Sequence, residues 1–169
     1  MIFETKDLVA LFGIGITFLV SVASLFVGLR NSKKTLFINS VTASRVKWID
    51  TVRNSIAEFC GLTLHLALTE IDEKEKRQII EKIDRLRFLI KLQLNRSDKF
   101  DKRIIDKINL IPDLTDPRKI NELEKEIDEL IIQTQDLLKL EWEGVKEETK
   151  KGNLSKTEKR KLYEKYLQD

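Results

Sequence analysis

DPRKINELEKEIDELIIQTQDLLKLEWEGV, residues 116–145, repeats apolar side chains at helical spacing over about eight turns. Ile120, Leu123, Ile127, Leu130, Thr134 and Leu137 form one stripe, and Ile131, Leu138, Trp142 and Val145 form a second beside it. Steps of three and four place each set on one face of an α-helix. A two-stranded coiled coil needs a single seam. Two adjacent stripes describe a helix packed against two neighbours, as in a bundle. Asp116 and Pro117 suit the N-cap and first helical position. The chain is therefore expected to be all-α.

Working outward from that helix, its neighbours have the same texture. Residues 36–69 contain no proline and one glycine, with Val41, Trp48/Ile49, Val52, Ile56, Phe59 and Leu66 close to a heptad seam. Asp72 and Glu75 form a capping pair, so a helix should start near Glu73, with Ile79, Ile83, Leu86 and Ile90 as its seam and Ile80, Leu89 and Leu94 widening it. NRSD at 95–98 interrupts, and Ser97 or Asp98 can cap a short helix carrying Phe100, Ile104, Ile108 and Ile111. Read in line across that break, residues 73–94 and 99–111 add to about 53 Å, against about 51 Å for 36–69 and for 117–150. Three matched legs make an up-down-up arrangement. Ser155 and Glu158 start a terminal helix bearing Leu162, Tyr163, Tyr166 and Leu167, which should fold back as a partial fourth member.

LVALFGIGITFLVSVASLFVGL, residues 8–29, carries no charge and as a helix measures about 33 Å, against about 30 Å of bilayer hydrocarbon. The leader MIFETKD lacks the basic n-region of a signal peptide, so the segment reads as an uncleaved anchor. Arg30, Lys33 and Lys34 follow it directly and set the N-terminus outside and the remainder in the cytoplasm. The expected architecture is one N-terminal transmembrane helix (residues 1–30 with the leader) followed by a cytoplasmic three- to four-helix antiparallel bundle (residues 31–169). Within the span Ala10, Gly13, Thr17, Ser21, Ser24 and Gly28 lie on a stripe about 80° wide. Small residues let backbones approach, which favours association with a second copy; in a stricter version the hydroxyls line a narrow wet pore. The alternative is that Ser and Thr bond their own i−4 carbonyls.

FINSVTASRVKWIDTVRNSIAEF, residues 37–59, departs from the Lys/Glu/Ile/Leu vocabulary of the rest. From Arg30 to Arg53 the cations are Arg30, Lys33, Lys34, Arg45, Lys47 and Arg53, with Asp50 the single acid. A basic helix next to the membrane with Trp48 in it suits anionic headgroups, and Asn39, Thr42 and their small neighbours suit a sister subunit or another partner protein. Arg30, Lys33, Lys34, Asn39, Thr42, Arg45 and Trp48 are thus the candidate lipid or partner contacts. The competing reading makes this an ordinary bundle helix under the terminal helix.

Phe37, Ile38, Asn39, Val41, Thr42, Arg45, Trp48 and Ile49 spell F-I-N-x-V-T-x-x-R-x-x-W-I, which resembles a segment of small bacterial proteins with one N-terminal span and a helical cytoplasmic region. The layout is similar, more remotely, to the membrane accessory protein of type VI-B CRISPR systems. That resemblance implies a homo-oligomeric pore in antiphage defence and a degenerate HEPN ribonuclease motif, Arg followed four to six residues later by His. The single histidine, His65, has Phe59, Cys60 and Gly61 at those upstream positions, so the motif is missing here.

Chemistry-bearing patterns are scarce. Gly13-x-Gly15 sits within the span and leads to no Lys-Ser/Thr, so no phosphate loop exists. One histidine and one cysteine, Cys60, serve few nucleophilic or metal schemes. Acidic clusters such as Glu122/Glu124/Glu126 and Glu141/Glu143 alternate with lysine and read as solvated pairs. The net charge of +3 is left from 31 basic and 28 acidic residues, mixing that argues against a nucleic-acid footprint. No catalytic residue, metal or cofactor is expected. The expectation is a non-enzymatic, single-pass inner-membrane protein whose partners are the bilayer, other copies of itself and a further defence or envelope protein. A membrane-tethered HEPN-like ribonuclease and a passive adaptor are the alternatives.

Overall fold

Between Gly28 and Gly61 there is no glycine and no proline, so nothing in the backbone chemistry interrupts a helix there. The computed structural model, which describes residues 5–151 and 154–166, accordingly carries one helix, α1, through Thr5–Leu68. The apolar segment and the first leg, expected as separate elements, belong to it without a break. Four further helices follow, α2 (Glu73–Gln93), α3 (Lys99–Leu110), α4 (Ile120–Lys151) and α5 (Lys156–Tyr166), and no strand occurs among the described residues. The chain is all-α, and it divides into two compact units, residues 1–41 and 42–169.

In the second unit the helix ends follow the capping chemistry. Asp72 accepts from the backbone N–H of Lys74 and of Glu75, and Asp98 from that of Phe100. Asp116 accepts from the Arg118 N–H, but Pro117–Lys119 first forms a 3₁₀ turn that runs into α4. Ser155 and Glu158 make the reciprocal box at the start of α5.

The core takes Ile49, Val52, Ile56 and Phe59 from α1, and Ile79, Ile83, Leu86 and Ile90 from α2. Phe100, Ile104 and Ile108 of α3 join Leu123, Ile127, Leu130 and Leu137 of α4 around them. Thr63 fills a seam position of α1 fully buried, its hydroxyl satisfied by the carbonyls of Phe59 and Cys60. Cys60 lies in the same core, where burial pushes its thiol up to about 11.

Three expectations need correction. Residues 73–94 and 99–111 do not form one broken leg: Lys91 Nζ donates to Asn109 Oδ1 at 3.0 Å, whereas an in-line helix would separate positions 18 apart by roughly 27 Å. The chain reverses at 94–98, a turn held by Asp101, which accepts the Asn95 N–H at 2.6 Å. Ile80 and Leu89 do not widen the α2 seam; both are exposed, because the residues that reach the core are one turn apart on a narrower face. The second stripe of α4 is only half used, with Leu138 and Val145 buried but Ile131 and Trp142 exposed by 38% and 44%.

Candidate functional site

Two features carry the functional question, one in each unit. In the first unit, Phe12–Ser32 is apolar for 21 residues with Arg30 as its one charge, and it is the single candidate membrane span among the described residues. From Phe12 to Leu29, eleven large apolar side chains are exposed. Left in water, such a surface would cost on the order of 10–20 kcal/mol relative to burial, so lipid or protein must cover it.

Gly13, Thr17, Ser21, Ser24 and Gly28 all lie on this segment and all face outward. Thr17 Oγ1 donates to the Gly13 carbonyl and Ser21 Oγ to the Thr17 carbonyl, each at 2.8 Å. The two hydroxyls are thus satisfied within their own helix, which leaves the stripe smooth and apolar in character. A Cβ placed on Gly13 or Gly28 would meet nothing within 4 Å. The side chain of Ala10 lies outside the described residues, as do those of Lys33 and Lys34. Arg30 and Asn39 are exposed.

The remaining juxtamembrane candidates belong to the second unit. Thr42 is half-buried. Arg45 and Trp48 make their polar contacts within the chain. Trp48 Nε1 donates to the Gln93 carbonyl at 3.1 Å and ties α1 to the end of α2. Arg45 reaches α4 with two arms: Nη1 lies 2.9 Å from Glu148 Oε2 and Nε 3.4 Å from Glu141 Oε2. Glu141 is therefore no solvated surface pair, and Glu148 is only 5% exposed. Tyr163 of α5 donates its hydroxyl to the other oxygen of Glu141 at 3.0 Å and sets its ring edge-on to Phe100 of α3. Burial, together with the Glu141 charge, pushes the Tyr163 phenol well above its usual range.

Gly144 explains how the guanidinium fits. A Cβ there would stand 3.4 Å from Arg45 Nη1 and 3.9 Å from Leu162 Cδ2. Glu141, Gly144 and Glu148 share one face of α4, at spacings of three and four. Sequence reasoning passed over this constellation. Its one local signal is a glycine inside an otherwise uninterrupted helix, flanked by glutamates on its own face.

A polar junction therefore joins α1, α3, α4 and α5. Asp101 adds a carboxylate 8% exposed, pushed up by burial, partly offset by its bond from Asn95 and reinforced by Asp98 and Glu141. Chemically the junction is a clamp: its acids are satisfied by Arg45, Tyr163 and backbone N–H groups. His65, exposed at the far end of α1, pairs its Nδ1 with Thr69 Oγ1 at 3.1 Å. Among the described residues no group of three or more His, Cys, Asp or Glu is placed to hold a metal ion. Comparison of the chain with family models, with curated proteins and with solved structures finds no match.

Proposed function

We propose that the chain is a membrane-anchored, self-associating helical protein that acts as a scaffold or pore-forming effector, without catalysis, in a bacterial envelope or antiphage response. The observation that carries this reading is the apolar face of Phe12–Ser32, outward-facing throughout and marked by a line of small residues. Large apolar side chains on such a helix suit lipid, and the small ones suit close approach of another helix. In this reading the helix crosses the inner membrane once, with the N-terminus outside. Residues 31–169 form a cytoplasmic helical bundle in which α2 and α3 are separate legs, clamped by Arg45. The placement in an antiphage response is supported by the layout of the chain, one span followed by a small helical region, which resembles that of the type VI-B CRISPR accessory protein.

The test uses full-length protein extracted in mild detergent. The wild type is expected to have the mass of several copies, and Thr17/Ser21/Ser24→Leu that of fewer, since the added bulk on the small-residue stripe keeps neighbouring backbones from close approach. A wild type of single-chain mass, or one recovered in the soluble fraction after lysis, would overturn the proposal.

A further inference from the structure

Residues 85–105 carry seven basic side chains against two acidic ones, in a chain whose net charge is only +3. Both acids are occupied with backbone: Asp98 accepts the Phe100 N–H at 2.9 Å and Asp101 that of Asn95 at 2.6 Å. Arg85, Arg96, Lys99, Lys102 and Arg103 are exposed, and none meets an acceptor through its charged end among the described residues. On α2, Arg85 shares a face with Phe88 and Leu92, at steps of three and four, away from the Ile83, Leu86 and Ile90 that reach the core. Phe88 is 63% exposed and Leu92 85%, more than any large apolar side chain of Phe12–Ser32.

Trp48 ties α1 to Gln93, so this corner stands at the end of the second unit where the chain enters it at Thr42. Ten positions separate Ser32 from Thr42, at most about 36 Å of chain. A bilayer that holds the apolar segment is therefore kept within reach of the corner at high effective concentration.

We infer that the corner formed by the end of α2, the 94–98 turn and the start of α3 binds an anionic lipid surface. Phe88 and Leu92 enter the acyl boundary, and the five unpaired cations meet the headgroup phosphates. Two features select that occupant. A leucine and a phenylalanine among free cations suit a surface with hydrocarbon just beneath its anions, and a nucleic-acid backbone has the anions without the hydrocarbon. A soluble acidic peptide has to find the corner by diffusion, whereas the anchor keeps the bilayer beside it. Arg45 and Trp48, the headgroup candidates of the sequence, are engaged within the fold, so the contact passes to residues 85–103. The inference rests on the membrane anchoring proposed above and adds to it a second, reversible contact with the same bilayer.

The test uses full-length protein in lipid nanodiscs, with a fluorophore on Ser97→Cys and a nitroxide quencher on the headgroups of a trace lipid; Cys60, sealed in the core, stays unlabelled. Circular dichroism confirms folding. Quenching is expected in discs containing phosphatidylglycerol and not in discs of phosphatidylcholine alone. At the phosphatidylglycerol content that half-quenches the labelled parent, Arg96→Gln/Lys99→Gln is expected to lower the ratio of quenched to unquenched label about thirtyfold. Leu92→Ser should lower it about tenfold, and Lys74→Gln/Lys119→Gln, the same loss of charge at the starts of α2 and α4, should leave it unchanged. Equal quenching in both lipids overturns this surface. So does a ratio that Arg96→Gln/Lys99→Gln or Leu92→Ser fails to lower, or that Lys74→Gln/Lys119→Gln lowers as much. A label unquenched in either lipid also overturns it, and a response to added RNA or polyglutamate would then assign the corner to that partner instead. A chain that does not enter the discs removes the anchoring reading and this surface with it.

Discussion

Arg45 shows how far a side chain's local setting can stand from its eventual contacts. In the sequence it is a cation shortly after an apolar segment, and only local neighbours are legible; Glu141 and Glu148, about a hundred positions away, are two among many acids. In the fold its guanidinium spans both. Charge-assisted bonds of this kind contribute about 2 kcal/mol, so Arg45→Ala is expected to lower unfolding stability by about that amount in urea titration. Replacing both ends, Arg45→Met with Glu148→Leu, should recover most of the loss, because the desolvated carboxylate goes with its partner. Asp101 behaves differently. Its folded carboxyl binds a proton more tightly than the unfolded reference of 3.8, so its ionisation weakens the fold at neutral pH. That weakening fades as pH falls through the raised folded value towards 3.8. Asp101→Asn keeps an acceptor for the Asn95 N–H and does not titrate. It should therefore be more stable than wild type at pH 7, with the difference shrinking as unfolding is measured at progressively lower pH towards 4.

Among elements, the seams were the most legible part of the chain. Ile79, Ile83, Leu86 and Ile90 are buried as the α2 pattern requires, and so are Leu123, Ile127, Leu130, Thr134 and Leu137 in α4. Periodicity reports which face is apolar, and water enforces the rest. Caps were legible for the same reason, since Asp72, Asp98 and Ser155 act on N–H groups within three residues. Asp72→Ala should cost about 1 kcal/mol, readable as a lower urea midpoint with an unchanged slope. The reversal at 94–98 was not legible. NRSD announces an interruption, but whether the next helix continues or turns back depends on the Asp101–Asn95 bond and on what α3 finds to bury. The second stripe of α4 failed for a related reason: a pattern can announce that a neighbour is needed without saying whether the same polypeptide supplies it.

For the whole molecule, the two units differ in what they bury. Residues 42–169 enclose a core of their own, whereas Phe12–Ser32 is exposed among the described residues. The apolar segment was legible from composition, because an uncharged run of 22 residues stands apart from a chain that is 35% charged. The fate of the core can be followed with no added probe. Cys60 is the one sulfhydryl the chain possesses, sealed beside Phe59 and ionising only near 11. Maleimide reacts with the thiolate, so in the closed state it finds almost nothing to attack, and each alkylation counts a breathing event of the helices around it. The molecule thus carries its own clock for how often those helices part.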